Sequence, residues 1–151
     1  MTIVRPGYAA ITPYLVCSDA DAAIAWYARH LGATERYRLA MPGGGIAHAE
    51  IAIDEMVVML SDAFPDMGIV APDALGGSPV SLQVYVADAD ATFAAMVADG
   101  AEALFEVTDQ FHGDRSGKLR DPFGHLWFVA TNKEPLGPDE IVARFGSQSE
   151  G

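Results

Sequence analysis

The sequence predicts an α+β fold of two tandem βαβββ modules, on three observations. A short pattern repeats: Ser18-Asp19-Ala20-Asp21-Ala22 returns as Ala87-Asp88-Ala89-Asp90-Ala91, each time behind a β-like run, Pro13–Cys17 and then Leu82–Val86. An alanine-rich stretch with helical spacing follows each copy, AAIAWYARHLGA and then ATFAAMVADGA. Three more strand-like runs follow each of these stretches.

The elements follow in chain order. Aspartate side chains accept from free backbone N–H groups at a helix start, and glycine takes the left-handed backbone at a helix end. The motif aspartates are therefore expected as N-caps, and Gly32 and Gly100 as C-caps. Ile24, Tyr27 and Leu31 share one helical stripe, and Phe93, Met96 and Val97 another, so each helix lays an apolar face on a sheet. The remaining strands are expected at about 35–40, 46–53 and 56–61, then 102–107, 115–120 and 126–131. Pro42-Gly43-Gly44-Gly45, Asp54-Glu55 and Pro122-Phe123-Gly124-His125 are read as turns, and DQFHGD as a longer loop. The Gly43 run is a hairpin and not a phosphate loop, because no lysine or helix follows where one is needed.

The segment 64–79, rich in Pro and Gly, shows no clear element. We divide the chain into a first module at 1–68, a linker at 69–78 and a second module at 79–151. A short helix at about 139–145 opens on Pro138, and the tail GSQSEG is expected to be disordered.

Composition excludes several functions. With 9 basic and 21 acidic residues the formal charge is -12, which repels nucleic-acid phosphates and anionic lipid alike. Neither nucleic acid nor membrane is expected as a partner. A single cysteine, Cys17, rules out an internal disulfide and a cysteine-cluster zinc site, and its apolar surroundings make it core filler. The N-terminus lacks the pattern of a secretory leader, and no apolar run is long enough to span a bilayer, so a cytoplasmic protein is expected.

DPFGH before a last strand, in a duplicated βαβββ unit, resembles the vicinal oxygen chelate superfamily of glyoxalase I, bleomycin-resistance proteins and extradiol dioxygenases. TPYLV, HAE, LGGSPVSLQVYV and GDRSGKLRDPFGHLWFVAT are similar to its PhnB-like group. The resemblance implies curved four-stranded mixed sheets around a cavity, and a homodimer. It also implies four metal positions in metal-using members, which here fall on Thr12, Met59, Ser81 and Phe128. A hydroxyl pair, a thioether and a phenyl ring suit a hard divalent cation poorly. No metal and no cofactor are therefore expected.

His48 and Glu50 stand two apart in AHAEIAIDEMVVML, so on a strand they share a face. A two-residue turn at Asp54-Glu55 pairs Ile53 with Met56, hence Glu50 with Met59 and His48 with Ser61. Because the resemblance puts Met59 on the cavity side, Glu50 and His48 join it there. Period-2 counting from the same positions adds Thr12, Tyr14, Ser81, Gln83, Tyr85 and Phe128 as ligand contacts. Phe111 and His112 are expected to close over the cavity as a lid, whereas Arg115 forms a surface ion pair and His125 is structural. Trp26 and Tyr27 belong to core or dimer packing.

Two functions remain open. One is a metal-independent binding protein that sequesters or carries a small organic molecule, as bleomycin-resistance relatives do; the acidic chain favours a neutral or cationic guest. The other is a lyase or isomerase with Glu50 as base and His48 as its orienting partner, with or without a metal on displaced ligands such as His112. A working base should have a raised pKa, whereas a wall carboxylate should titrate normally.

Overall fold

Both aspartate motifs start helices in the computed structural model, which describes residues 3–149. Asp19 accepts from the Ala22 N–H at 3.0 Å at the start of α1 (Ala20–Leu31), and Asp88 accepts from the Ala91 N–H at 3.0 Å at the start of α3 (Ala89–Ala98). Gly32 ends α1 with φ 65°. In the second copy Asp99 is the capping residue and Gly100, at φ 105°, comes one position later.

The first unit contains β1 (Tyr14–Cys17), α1, β2 (Thr34–Ala40), β3 (Ile46–Ile53) and β4 (Met56–Asp62); its sheet runs β1-β4-β3-β2. The second contains β5 (Ser81–Tyr85), α3, β6 (Glu102–Asp109), β7 (Asp114–Arg120) and β8 (Leu126–Asn132), in the order β5-β8-β7-β6. In each sheet the first strand lies parallel to the last and the other pairs are antiparallel. The α+β reading with two βαβββ modules and mixed sheets is correct, and neither sheet closes into a barrel. The chain divides after Pro79, with Phe123–His125 grouping with the first unit.

Alternation along the strands sorts the side chains by face. Leu15, Cys17, Ala49, Ile51, Val58 and Leu60 are buried together with Ile24, Tyr27 and Leu31 of α1. Phe93 and Met96 of α3 are buried in the second unit with Leu119, Trp127 and Val129. The last strand of each sheet also ties down its helix start. Asp62 accepts from the N–H groups of Ala20 (2.7 Å) and Ile46 (2.6 Å), and Thr131 accepts from that of Ala89 (2.9 Å).

Three expectations need correction. The 64–79 segment holds a 3-10 turn at Pro65–Met67 and a short helix α2 (Pro72–Leu75), each opened by proline and each closed by a glycine of positive φ. DQFHGD is not a long loop: its two aspartates are strand residues. Gln110–Gly113 makes a tight turn in which the Gln110 N–H donates to the Asp114 carbonyl at 2.8 Å. The final helix α4 (Pro138–Ser149) takes in Gly146 to Ser149 of the supposed disordered tail. Arg144 at its centre pairs with Glu134 (2.8 Å) and Glu140 (3.2 Å). Glu150 and Gly151 lie outside the described residues. No helix among the described residues is long and apolar enough to cross a membrane.

Candidate functional site

Registers place one row of neighbours across the middle of each sheet, on the face away from its helix. In the first sheet, Tyr14 pairs with Met59, Met59 with Glu50, and Glu50 with Tyr37. In the second, Gln83 pairs with Phe128, Phe128 with Lys118, and Lys118 with Phe105. Met59 and Phe128 occupy equivalent places in the duplicated topology, so the third-strand position is Glu50 in one module and Lys118 in the other. The two modules thus carry opposite charges at one site of the repeat.

The first row is filled. Ile53 pairs with Met56 and Glu50 with Met59, as the turn at Asp54 (φ 54°) requires. Although Glu50 lies on the open face, its side chain is 0% exposed because the N-terminal segment crosses it. The Tyr8 hydroxyl donates to Oε1, and Oε2 accepts from the Tyr37 hydroxyl at 2.6 Å and from His48 Nε2 at 2.8 Å. The Arg5 guanidinium stands 3.6 Å away and its carbon lies 4.8 Å over the Tyr8 ring. Burial alone would push this carboxyl up, but the donors from Tyr37, Tyr8 and His48 outweigh it and hold its pKa at about 2. The same bond pushes the Tyr37 phenol up.

Glu50 is therefore ionised and fully occupied near neutrality, neither the raised base nor the ordinary wall carboxylate that the sequence suggested. With its Nε2–H donating to the Glu50 carboxylate, His48 accepts from the Tyr14 hydroxyl at Nδ1 (2.7 Å). In this chain of bonds the Glu50 carboxylate orients the imidazole. Tyr37→Phe is expected to cost about 1.5 kcal/mol of stability and to raise the Glu50 pKa, measured by urea unfolding and carboxyl NMR titration.

The second row lines a cavity of about 650 Å³, walled by Gln83, Phe105, Lys118 and Phe128 with Thr108, His112 and Ser116 among others. Gly117 shows which face this is. A Cβ there would meet the Phe93 ring of α3 and the Phe105 carbonyl, each at 2.9 Å, so its neighbours Ser116 and Lys118 point the other way. Lys118 Nζ stands 4.9 Å over the Phe128 ring.

Of the expected contacts, Gln83, His112 and Phe128 line this cavity, whereas Ser81, Tyr85 and Phe111 do not. Tyr85 donates to Asp114 at 3.0 Å, a carboxylate that also accepts from Gln83 (3.3 Å) and Asn132 (2.7 Å). Phe111 packs on the His112 ring at 5.2 Å and on Phe145 of α4 at 5.5 Å, so α4 covers it. Tyr14 and Met59 belong to the first sheet, and Thr12 precedes β1, its hydroxyl donating to the Ala9 carbonyl at 3.4 Å. Arg115 is held by Asp90 (2.7 Å) and Asp109 (3.1 Å), the surface pairing expected of it. His125 donates to the Val16 carbonyl at 2.9 Å.

Thr12, Met59, Ser81 and Phe128 do not fit a divalent cation, since the thioether and the ring lack the oxygen or nitrogen donors it prefers. Among the described residues no three of His, Cys, Asp and Glu gather as a metal would require. Sequence reasoning missed Lys118, Phe105, Tyr37 and Tyr8.

Comparisons with known proteins agree with this architecture. Over 145 residues the chain is 38% identical to the uncharacterized protein Mb0911c of Mycobacterium bovis, covering 94% of this chain and 95% of that one. Among solved structures, TioX from Micromonospora sp. ML1 is 26% identical with a TM-score of 0.62, over 85% of this chain and 100% of TioX. Protein PA1353 from Pseudomonas aeruginosa is 25% identical with a TM-score of 0.66, over 82% and 98%. The family model of the Glyoxalase/Bleomycin resistance protein/Dioxygenase superfamily matches residues 7–129. With a duplicated βαβββ unit and a matching model over most of its length, the chain belongs to that superfamily.

Proposed function

We propose that the chain is a metal-independent small-molecule-binding protein whose organic ligand lies in the cavity of the second sheet. One observation carries the reading: about 650 Å³ of hollow, within the usual range for ligand sites, is walled by two phenyl rings and a few directional polar groups. The resemblance to bleomycin-resistance proteins supports sequestration or carriage, by a cytoplasmic homodimer without cofactor. The acid–base alternative has weaker support. Its carboxylate is locked by donors, and its histidine is a residue of the first sheet that is itself bonded to that carboxylate.

Titration with the neutral fluorescent probe N-phenylnaphthylamine tests the reading. Saturable binding is expected, with Phe128→Ala weakening it about tenfold because the ring supplies much of the apolar contact. Absence of saturable binding by the native chain would sink the proposal.

A further inference from the structure

We infer that the cavity of the second sheet selects an organic anion with a flat aromatic body, its acid group paired to Lys118. The inference rests on the binding role proposed above and names the class of ligand. It reverses the expectation drawn from net charge, because screening confines a charge's influence to about 8 Å in physiological salt. A ligand inside the cavity responds first to the charges lining it.

Lys118 is the cation there, and it is uncommitted. Arg5, Arg38, Arg115, Arg120 and Arg144 all stand within ion-pair distance of carboxylates. Among the described residues Lys118 has no such partner, and its ammonium stands instead over the Phe128 ring. Asp114, on the same strand, is already taken up by Gln83, Tyr85 and Asn132. Glu106 is the one acidic residue lining the cavity, and it is exposed on the edge strand β6, where water screens it.

The row also sets the shape. Neighbouring strands lie about 4.8 Å apart, so the Phe128, Lys118 and Phe105 positions span roughly 10 Å, with Nζ 4.9 Å over the Phe128 ring. Phe105 is 65% exposed, a large apolar surface left open inside a hollow. A bicyclic aromatic body of that width would cover both rings while its acid group meets Nζ. A cationic guest would instead face the ammonium directly.

Two probes of similar ring system separate charge from apolar contact: anilinonaphthalene sulfonate, an anion, and neutral N-phenylnaphthylamine. The native chain is expected to bind the sulfonate about tenfold more tightly, with added salt eroding only that preference. Lys118→Met should abolish the preference, and Lys118→Arg should keep it, which also controls for folding. Equal affinities in the native chain, or a preference that survives Lys118→Met, would overturn the inference and leave the binding role standing. Binding of neither probe would remove both.

Discussion

Glu50→Ala is expected to lower stability at neutral pH by about 3 kcal/mol, and Glu50→Gln by about 2 kcal/mol, measured by urea unfolding. The carboxylate is fully covered and collects hydrogen bonds from Tyr8, Tyr37 and His48. Alanine leaves those donors facing an empty, dry space. Glutamine keeps an acceptor but loses the charge that makes these bonds strong.

The same group makes the fold acid-sensitive, with a defined sign. Its folded pKa of about 2 lies below the ordinary 4.5, so its contribution is complete above the ordinary value and disappears as pH falls toward the folded one. The linked stability amounts to at most about 3 kcal/mol. Native protein should therefore lose stability between about pH 5 and pH 2 more steeply than Glu50→Gln. Parallel profiles for the two proteins would refute this account of the carboxylate.

Gly113→Ala should cost about 3 kcal/mol, the second of the large effects. The backbone sits at φ 99°, where any side chain is strained, and a Cβ would be driven into the carbonyl of Glu134. The turn cannot easily yield, because the Gly113 carbonyl accepts from the N–H groups of Lys133 (2.9 Å) and Glu134 (3.0 Å). Glu134 in turn anchors Arg144 of α4. Thermal unfolding and hydrogen exchange should show a lowered midpoint together with loosened amides in α4; an unchanged midpoint would count against the clash.

Most of the architecture was legible because it rests on local rules applied twice. Asp19 and Asp88 mark helix starts through their own short side chains, and strand alternation needs only the period of the backbone. Even the pairing of Glu50 with Met59 followed from a two-residue turn. The tail misled because Gly and Ser have poor helix propensity, whereas Arg144 secures α4 through contacts distant in sequence.

The site was read less well, for two different physical reasons. Lys118 was accessible: counting back from Leu126, which pairs with Arg120, sets Phe128 against Lys118 by the same step that located Glu50. A lysine on a strand is ordinarily read as a solvated side chain, which hid it. The coverage of Glu50 was not accessible, since no periodicity links Tyr8 to a strand more than forty residues away. That segment both desolvates the carboxyl and brings it the Tyr8 donor, and with the donors from Tyr37 and His48 the net shift is downward.

The outermost strand of the first sheet, β2, is exposed along its whole length. Its free row of amides and carbonyls is a template on which another polypeptide could stack, the usual route to aggregation. Glu35, Arg36 and Arg38 stud it with charges of both signs, and register breaks at Glu35/Tyr37 and Leu39/Ala40 bend it out of flatness. Charges and bends of this kind are how exposed edges are ordinarily protected. Removing the charges of β2 would expose a fibril-forming rim without disturbing a single core contact.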